Sequence, residues 1–312
     1  MSGKYATETL ETGRGGIARA AEILRAGGLV AVPTETVYGL AARADDVAAV
    51  SLIYEAKGRP SFNPLIVHVA SLEQARELAE FSPRAEELAA SHWPGPLTLV
   101  LPRRPDAGLA DTVTAGLETV AIRIPNHPVM RDLLAELDFP LAAPSANRSG
   151  FISPTSAAHV LASLEGRIDA VMDGGTCRAG LESTIAAVRG DGRVDVLRPG
   201  PIDLAGTQAE AEEGARIEAP GQLASHYAPG KPVRLDVKRS VEDEFFIGFG
   251  EVGGDCSLSA SGDLAEAGAR LYACLHEGAA SAKPRIAVAP VPTTGIGRAI
   301  NDRLRRAATP AD

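Results

Sequence analysis

Leu29-Val30-Ala31-Val32-Pro33-Thr34-Glu35-Thr36-Val37-Tyr38-Gly39 opens as an apolar run, stops at a proline and spills into hydroxyls, a carboxylate and a phenol. The run reads as a strand feeding a polar loop. The same design recurs outward along the chain. Residues 65–69 form a predicted strand carrying His68, and 120–124 one carrying Arg123, while 141–143 opens into Pro144-Ser145-Ala146-Asn147. Further strands are predicted over 97–101, 170–172, 184–188 and 194–197. Helices are predicted over 17–26, 47–56, 72–81, 83–91, 128–137 and 156–164, with Ser71, Ser82 and Thr155 as N-caps. Short apolar runs alternating with amphipathic segments mean an α/β domain.

From about Asp203 the pattern decays into Ala, Glu, Gly and Gln, then two turns, Ala219-Pro220-Gly221 and Ala228-Pro229-Gly230. The division expected is a first domain over 1–205, a linker over 206–230 and a small α/β domain over 231–312. That last part reads as βαβ-like, with an apolar run at 245–249, a helix near 264–278, a strand at 286–291 and a terminal helix ending at 303–308.

Bulk properties narrow the function. An apolar fraction of 45% and a charged fraction of 23% are those of an ordinary globular protein. No apolar run approaches the ~20 residues of a membrane span, and the first residues lack a signal peptide's apolar core, so the cytoplasm is expected. Cys177, Cys256 and Cys274 form no CxxC pair, which fits neither a zinc site nor a disulfide framework. The net charge of −9 runs against a general nucleic-acid coat, so any anion site must be a local cluster of cations.

Such a cluster is visible. Lys57, Arg59, Arg123 and Arg198 suit phosphate and carboxylate, and Ser145, Asn147, Ser183 and Thr184 are neutral donors. All lie at strand ends or in the following loops, where α/β folds gather ligands. No GxSxG elbow, P-loop or GxGxxG fingerprint is present. Phosphate binding and nucleotidyl transfer are the class this supports. Blander readings stand beside it. Lys57 and Arg59 could complement a helix C-terminus, His68 could be a core histidine, Asn147 could close a turn, and Tyr38, Tyr54 and Trp93 could only pack. Arg123, inside Val-Ala-Ile-Arg-Ile, needs a buried partner or a ligand.

Taken in order, the segments PTETVYGL (33–40), KGRPSFNPLIVHV (57–69), WPGPLTLVL (93–101), TVAIRIPNHP (119–128), APSANRSG (143–150), ESTI (182–185) and LRPGPI (197–202) resemble the YrdC-type threonylcarbamoyl-adenylate synthases. The likeness covers about residues 15–205. Pro220-Gly221 and His226-Tyr227-Ala228-Pro229 resemble the linker of the family's two-domain form, although Leu223, Ala224 and Ser225 stand where basic or aromatic residues are expected. The resemblance implies an α/β fold with a twisted mixed sheet and a concave basic face, plus a small C-terminal α/β domain.

It also implies roles. Lys57, Arg59, Ser145 and Asn147 would be catalytic. Thr36, His68, Arg123, the Ala143 backbone and Ser183 would hold threonine, with Arg123 forking onto its carboxylate. Lys57, Arg59, Asn63, Thr119, Ser145, Ser153, Arg198 and Tyr227 would hold ATP. The implied reaction joins threonine, bicarbonate and ATP, with Mg2+ riding on the phosphates and few or no protein ligands. The product would pass to a tRNA threonylcarbamoyl transferase, with tRNA contact possible and no membrane. A non-catalytic RNA-binding module using the same concavity is the alternative.

Overall fold

The computed structural model of the protein describes residues 6–204, 218–220 and 226–309. Its first part begins β1 (Glu8–Leu10), α1 (Arg14–Arg25), β2 (Val30–Val32), β3 (Gly39–Arg43), α2 (Val47–Lys57) and β4 (Ile66–His68). Next come α3 (Leu72–Leu78), α4 (Pro83–His92), β5 (Leu97–Pro102), α5 (Asp111–Thr114), β6 (Thr119–Arg123) and α6 (Pro128–Glu136). β7 (Leu141–Ala142), α7 (Ala157–Leu164), β8 (Ala170–Met172), β9 (Thr184–Val188) and β10 (Val194–Arg198) complete it. The second part holds β11 (Val233–Arg234), β12 (Glu244–Gly248), β13 (Cys256–Ser257), α8 (Leu264–Ala280), β14 (Arg285–Val288) and α9 (Gly297–Ala308). Most of the expected linker, 206–230, lies outside the described residues.

The first part builds one mixed sheet in the order β1-β8-β2-β3-β7-β4-β6-β5-β9-β10. β4 pairs β6 in parallel, whereas β3–β7, β4–β7 and β5–β6 are antiparallel. The second part is a separate parallel sheet, β11-β14-β12-β13. Both parts are the mixed and the small α/β units expected.

Local chemistry sets the elements that matter. Asp46 caps α2 by accepting from Ala48 N and Ala49 N, and Gly58 ends it at φ 60°. Lys57 is thereby fixed in the last helical turn, with Gly58 between it and Arg59. Ser71 and Ser82 cap α3 and α4 as expected. Ser156, not Thr155, caps α7: the Ser156 hydroxyl accepts from His159 N, and Thr155 instead contacts His159 Nδ1. α3 stops at Leu78, short of 81, because Ala79 turns extended and bridges to Arg103.

Residues paired across neighbouring strands share a face. Leu141 of β7, Ile66 and His68 of β4, and Ala121 and Arg123 of β6 therefore look out on one side. The other side, with Val67, Ile122 and Ala142, is sealed by α2, α3, α4 and α7. On the first side α1 and α6 cover β2, β3 and β8 through Leu24, Met130 and Leu133. Over β4, β6, β5 and β9 the buried apolar residues of that side are Ile66, Val100, Ala121, Ile185 and Ala187, with Ala219 and Leu197 packed against them. Among the described residues no helix residue joins that patch, and the polar side chains His68 and Arg123 collect on this stretch of sheet.

Candidate active site

His68 and Arg123 are direct neighbours across β4 and β6. The Arg123 guanidinium donates from Nη1 to Thr36 Oγ1 at 2.9 Å and from Nε to the Gly95 carbonyl at 3.2 Å. Its Nη2 stands 2.6 Å from a Glu35 carboxylate oxygen, yet neither that nitrogen nor the carboxylate makes an aligned hydrogen bond. The charges pair while N–H directions stay open. Thr34 donates to the Val37 carbonyl, so Thr36 is the donor in the 2.8 Å contact between the two threonines. Burial, then Arg123, push His68 down to about 3, so the ring is neutral. Its Nδ1 lies 3.3 Å from the Ile66 carbonyl and must carry the proton, which leaves Nε2 as an acceptor.

A second group of cations lies across the cleft. Arg59 donates to the carbonyls of Asn63 and Pro64, and Arg198 holds the Ser183 carbonyl with Nε and Nη2, at 3.1 and 3.0 Å. Burial pushes Arg59 down to about 10, with Arg198 adding like-charge repulsion, and burial also lowers Arg198. Among the described residues neither guanidinium has a carboxylate within ion-pair distance. Buried cations without partners call for an anion. Ser145 lines the same cleft, and Ser183 also bonds Thr98 Oγ1 at 2.7 Å.

The expected site residues divide into those in the wall and those behind it. Thr36, Arg59, His68, Arg123, Ala143, Ser145, Ser183, Arg198 and Tyr227 line one cleft of about 530 Å3, counted to its open mouth. Lys57 works from beneath: its buried Nζ donates at 2.6 Å to the carbonyls of both Ser145 and Asn147. Burial, then Arg59, push that ammonium well below its usual value. Asn147 closes the turn after it by donating to Arg148 and Phe151 carbonyls. Asn63 supplies its carbonyl to Arg59, and its Oδ1 is buried without a partner. Ser153 is fully buried and donates to Glu182 Oε1 at 2.5 Å. Thr119 opens β6 opposite Pro102, four residues from Arg123 and roughly 13 Å away along the strand, outside the cleft wall.

Sequence reasoning missed Thr34, Val37 and Glu182 in the wall, together with what stands behind Glu182. Tyr272 of α8 donates to both carboxylate oxygens at 3.0 and 2.8 Å, and Arg303 of α9 donates to Oε2 at 2.9 Å. Arg303 was legible. It shares the apolar face of its helix with Ile300, Leu304 and Ala307, and a charge there needs a buried partner just as Arg123 does.

Comparisons with known proteins identify the family. A sequence model of the Sua5/YciO/YrdC family, described as telomere recombination, matches residues 22–200. A second, described as the threonylcarbamoyl-AMP synthase C-terminal domain, matches residues 182–309. The chain is 40% identical to a threonylcarbamoyl-AMP synthase of Bacillus subtilis, over 97% of this chain and 95% of that one. It is 41% identical to the enzyme of that name from Pyrococcus abyssi, over 92% of each. The crystal structure of P. abyssi Sua5 complexed with L-threonine superposes with a TM-score of 0.87 at 36% identity, covering 97% of this chain and 98% of that one. The chain belongs to the Sua5/YciO/YrdC family, in the form that carries the threonylcarbamoyl-AMP synthase C-terminal domain.

Proposed function

We propose that the protein is a nucleotidyltransferase that joins L-threonine, bicarbonate and ATP into threonylcarbamoyl-AMP, releasing pyrophosphate. One observation carries the reading: Arg59, Arg123 and Arg198 line a single cleft, and among the described residues two of them have no carboxylate within ion-pair distance. The curated relatives bear an enzyme's name, which favours catalysis over a non-catalytic RNA-binding module.

Threonine would lie against Arg123, Thr36 and His68, with its carboxylate on the open N–H directions of Arg123. Neutral His68 can accept from the ammonium or hydroxyl through Nε2 without adding charge. The free amine adds to CO2 derived from bicarbonate, losing a proton and giving an N-carboxylate. That carboxylate oxygen attacks the α-phosphorus, a P–O bond forms, and the P–O bond to the β-phosphate breaks with its electrons on pyrophosphate. Two anions must meet, so Arg59 and Arg198 neutralise and orient. Lys57 holds the backbone of 145–147, on which Ser145 faces the phosphates.

Among the described residues no cluster of three His, Cys, Asp or Glu side chains could hold a metal, and Glu182 is already engaged by Tyr272, Arg303 and Ser153. The donor set thus fits Mg2+ carried on the nucleotide's phosphates with water as its remaining ligands, where it would neutralise phosphate charge. The product would be a mixed anhydride for a tRNA threonylcarbamoyl transferase to consume, and the protein would do this work in the cytoplasm.

Pyrophosphate release is the test. Turnover is expected only with threonine, bicarbonate and ATP together, and release at an unchanged rate without threonine would overturn the assignment.

A further inference from the structure

The C-terminal domain reaches the cleft through one buried cluster. Glu182 lines the cleft, one residue before Ser183, and its carboxylate accepts from Ser153, Tyr272 and Arg303. Arg303 is wholly buried, pairs also with Asp302 at 2.7 Å, and lies over the Tyr227 ring at 5.3 Å. Tyr227 sits 5.6 Å from Tyr272 and holds a left-handed φ of 63°, which a non-glycine residue keeps only when its surroundings impose it. The Tyr227 hydroxyl and Arg303 Nη2 are buried without hydrogen-bond partners.

Fastening two domains together would not require a carboxylate from the cleft wall. Nor would it require the ring of a wall residue to be stacked beneath the same guanidinium. We propose that Arg303 is a positioning residue for the nucleotide end of the cleft, acting through Glu182 and Tyr227; the inference rests on the ATP reading given above. Burial would raise the Glu182 carboxyl, but Arg303 and Arg198, with the Ser153 hydrogen bond, hold it down to about 2 and ionised. Arg303 satisfies that charge. Without it, the strongest remaining cation on Glu182 is Arg198, which now grips Ser183. A carboxylate deprived of Arg303 draws Arg198 to itself, and the nucleotide loses the cation that should meet it. Arg123 and His68, the main anchors of threonine, are not part of this exchange, and Ser183 keeps its bond to Thr98.

Product formation by the wild-type, full-length protein tests the ATP reading by itself, and variants then test the positioning. Arg303→Met is expected to raise the KM for ATP about tenfold and leave the KM for threonine within about twofold, the loss of one charge-assisted hydrogen bond. Glu182→Gln combined with Arg303→Met removes the unmatched carboxylate and should recover much of the ATP KM. Arg303→Lys keeps the charge and should stay close to wild type. An ATP KM unchanged in Arg303→Met, a parallel rise in both KM values, or a double variant that recovers nothing would each overturn the proposal. If Arg303→Met does not fold, Tyr272→Phe decides: it removes one hydrogen bond from the same carboxylate and must raise the ATP KM several-fold, and an unchanged value overturns.

Discussion

Arg123 and Lys57 are both buried cations in the first domain, yet their surroundings assign them different work. Arg123 keeps N–H directions open towards the cleft, so Arg123→Ala is expected to raise the KM for threonine tenfold to roughly a hundredfold, well beyond its effect on ATP. Initial-rate kinetics with each substrate varied in turn decides this, and equal effects would undo the carboxylate fork. Lys57 has committed two of its three donors to backbone carbonyls and does not line the cleft. Lys57→Ala should therefore lower stability by about 1–3 kcal/mol for each buried carbonyl it orphans, alongside any loss of turnover, as urea denaturation would register. Arg59→Ala should act mainly on kcat/KM, by about 10²–10³. The sequence placed Lys57 as a phosphate ligand because a helix-terminal lysine before a loop looks the same whether it points to a ligand or to the chain. Arg123 was legible because an apolar strand has no use for a charge. Glu182 was hidden, since an acid just before a strand is ordinarily exposed.

Elements whose burial differs between faces could be read, and those without such contrast could not. β3 escaped because Gly39-Leu40-Ala41-Ala42 is buried throughout and shows no alternation. β11 and β13 have two residues each, too few to display a period. Strand ends located His68, Arg123 and Ser145. The reason for a cleft there, the absence among the described residues of a helix over β4, β6, β5 and β9, is a matter of packing that periodicity does not encode. Element packing also fixes how the second domain seats. A Cβ on Gly180 would stand 2.5 Å from the backbone of Ala269 in α8, and Gly180 already holds φ +66°. Gly180→Ala is expected to push α8, and Tyr272 with it, off Glu182. A fall in Tm together with a raised ATP KM, measured on the same preparation, would show it; a fully active variant with unchanged Tm would refute it.

At the scale of the whole molecule, net charge hides the site: the chain carries −9 while its cleft gathers arginines. Protonation is similarly concealed in the interior. Burial pushes His68 and His226 down to about 3 and His276 to about 4. Each stays neutral in the fold, whereas the unfolded chain takes up a proton below about 6.5. The unfolded state then binds more protons, so stability should fall as pH drops from about 6.5 towards 4, by on the order of 1.4 kcal/mol per histidine per pH unit. Glu182, held down to about 2, adds a loss only below about 4.5, as its unfolded counterpart begins to protonate. Tm followed from pH 7 to 5 tests the histidine part. A flat curve would contradict it, and His276→Gln should reduce the slope by one histidine's share. Arg303 follows Glu182 by 121 positions of chain. A ribosome adding about 5–20 residues per second needs roughly 6–24 s to cross that interval. The nascent first sheet can thus be complete while its wall carboxylate still waits for a guanidinium not yet made, so for that interval Glu182 is a charge without its partner from the second domain.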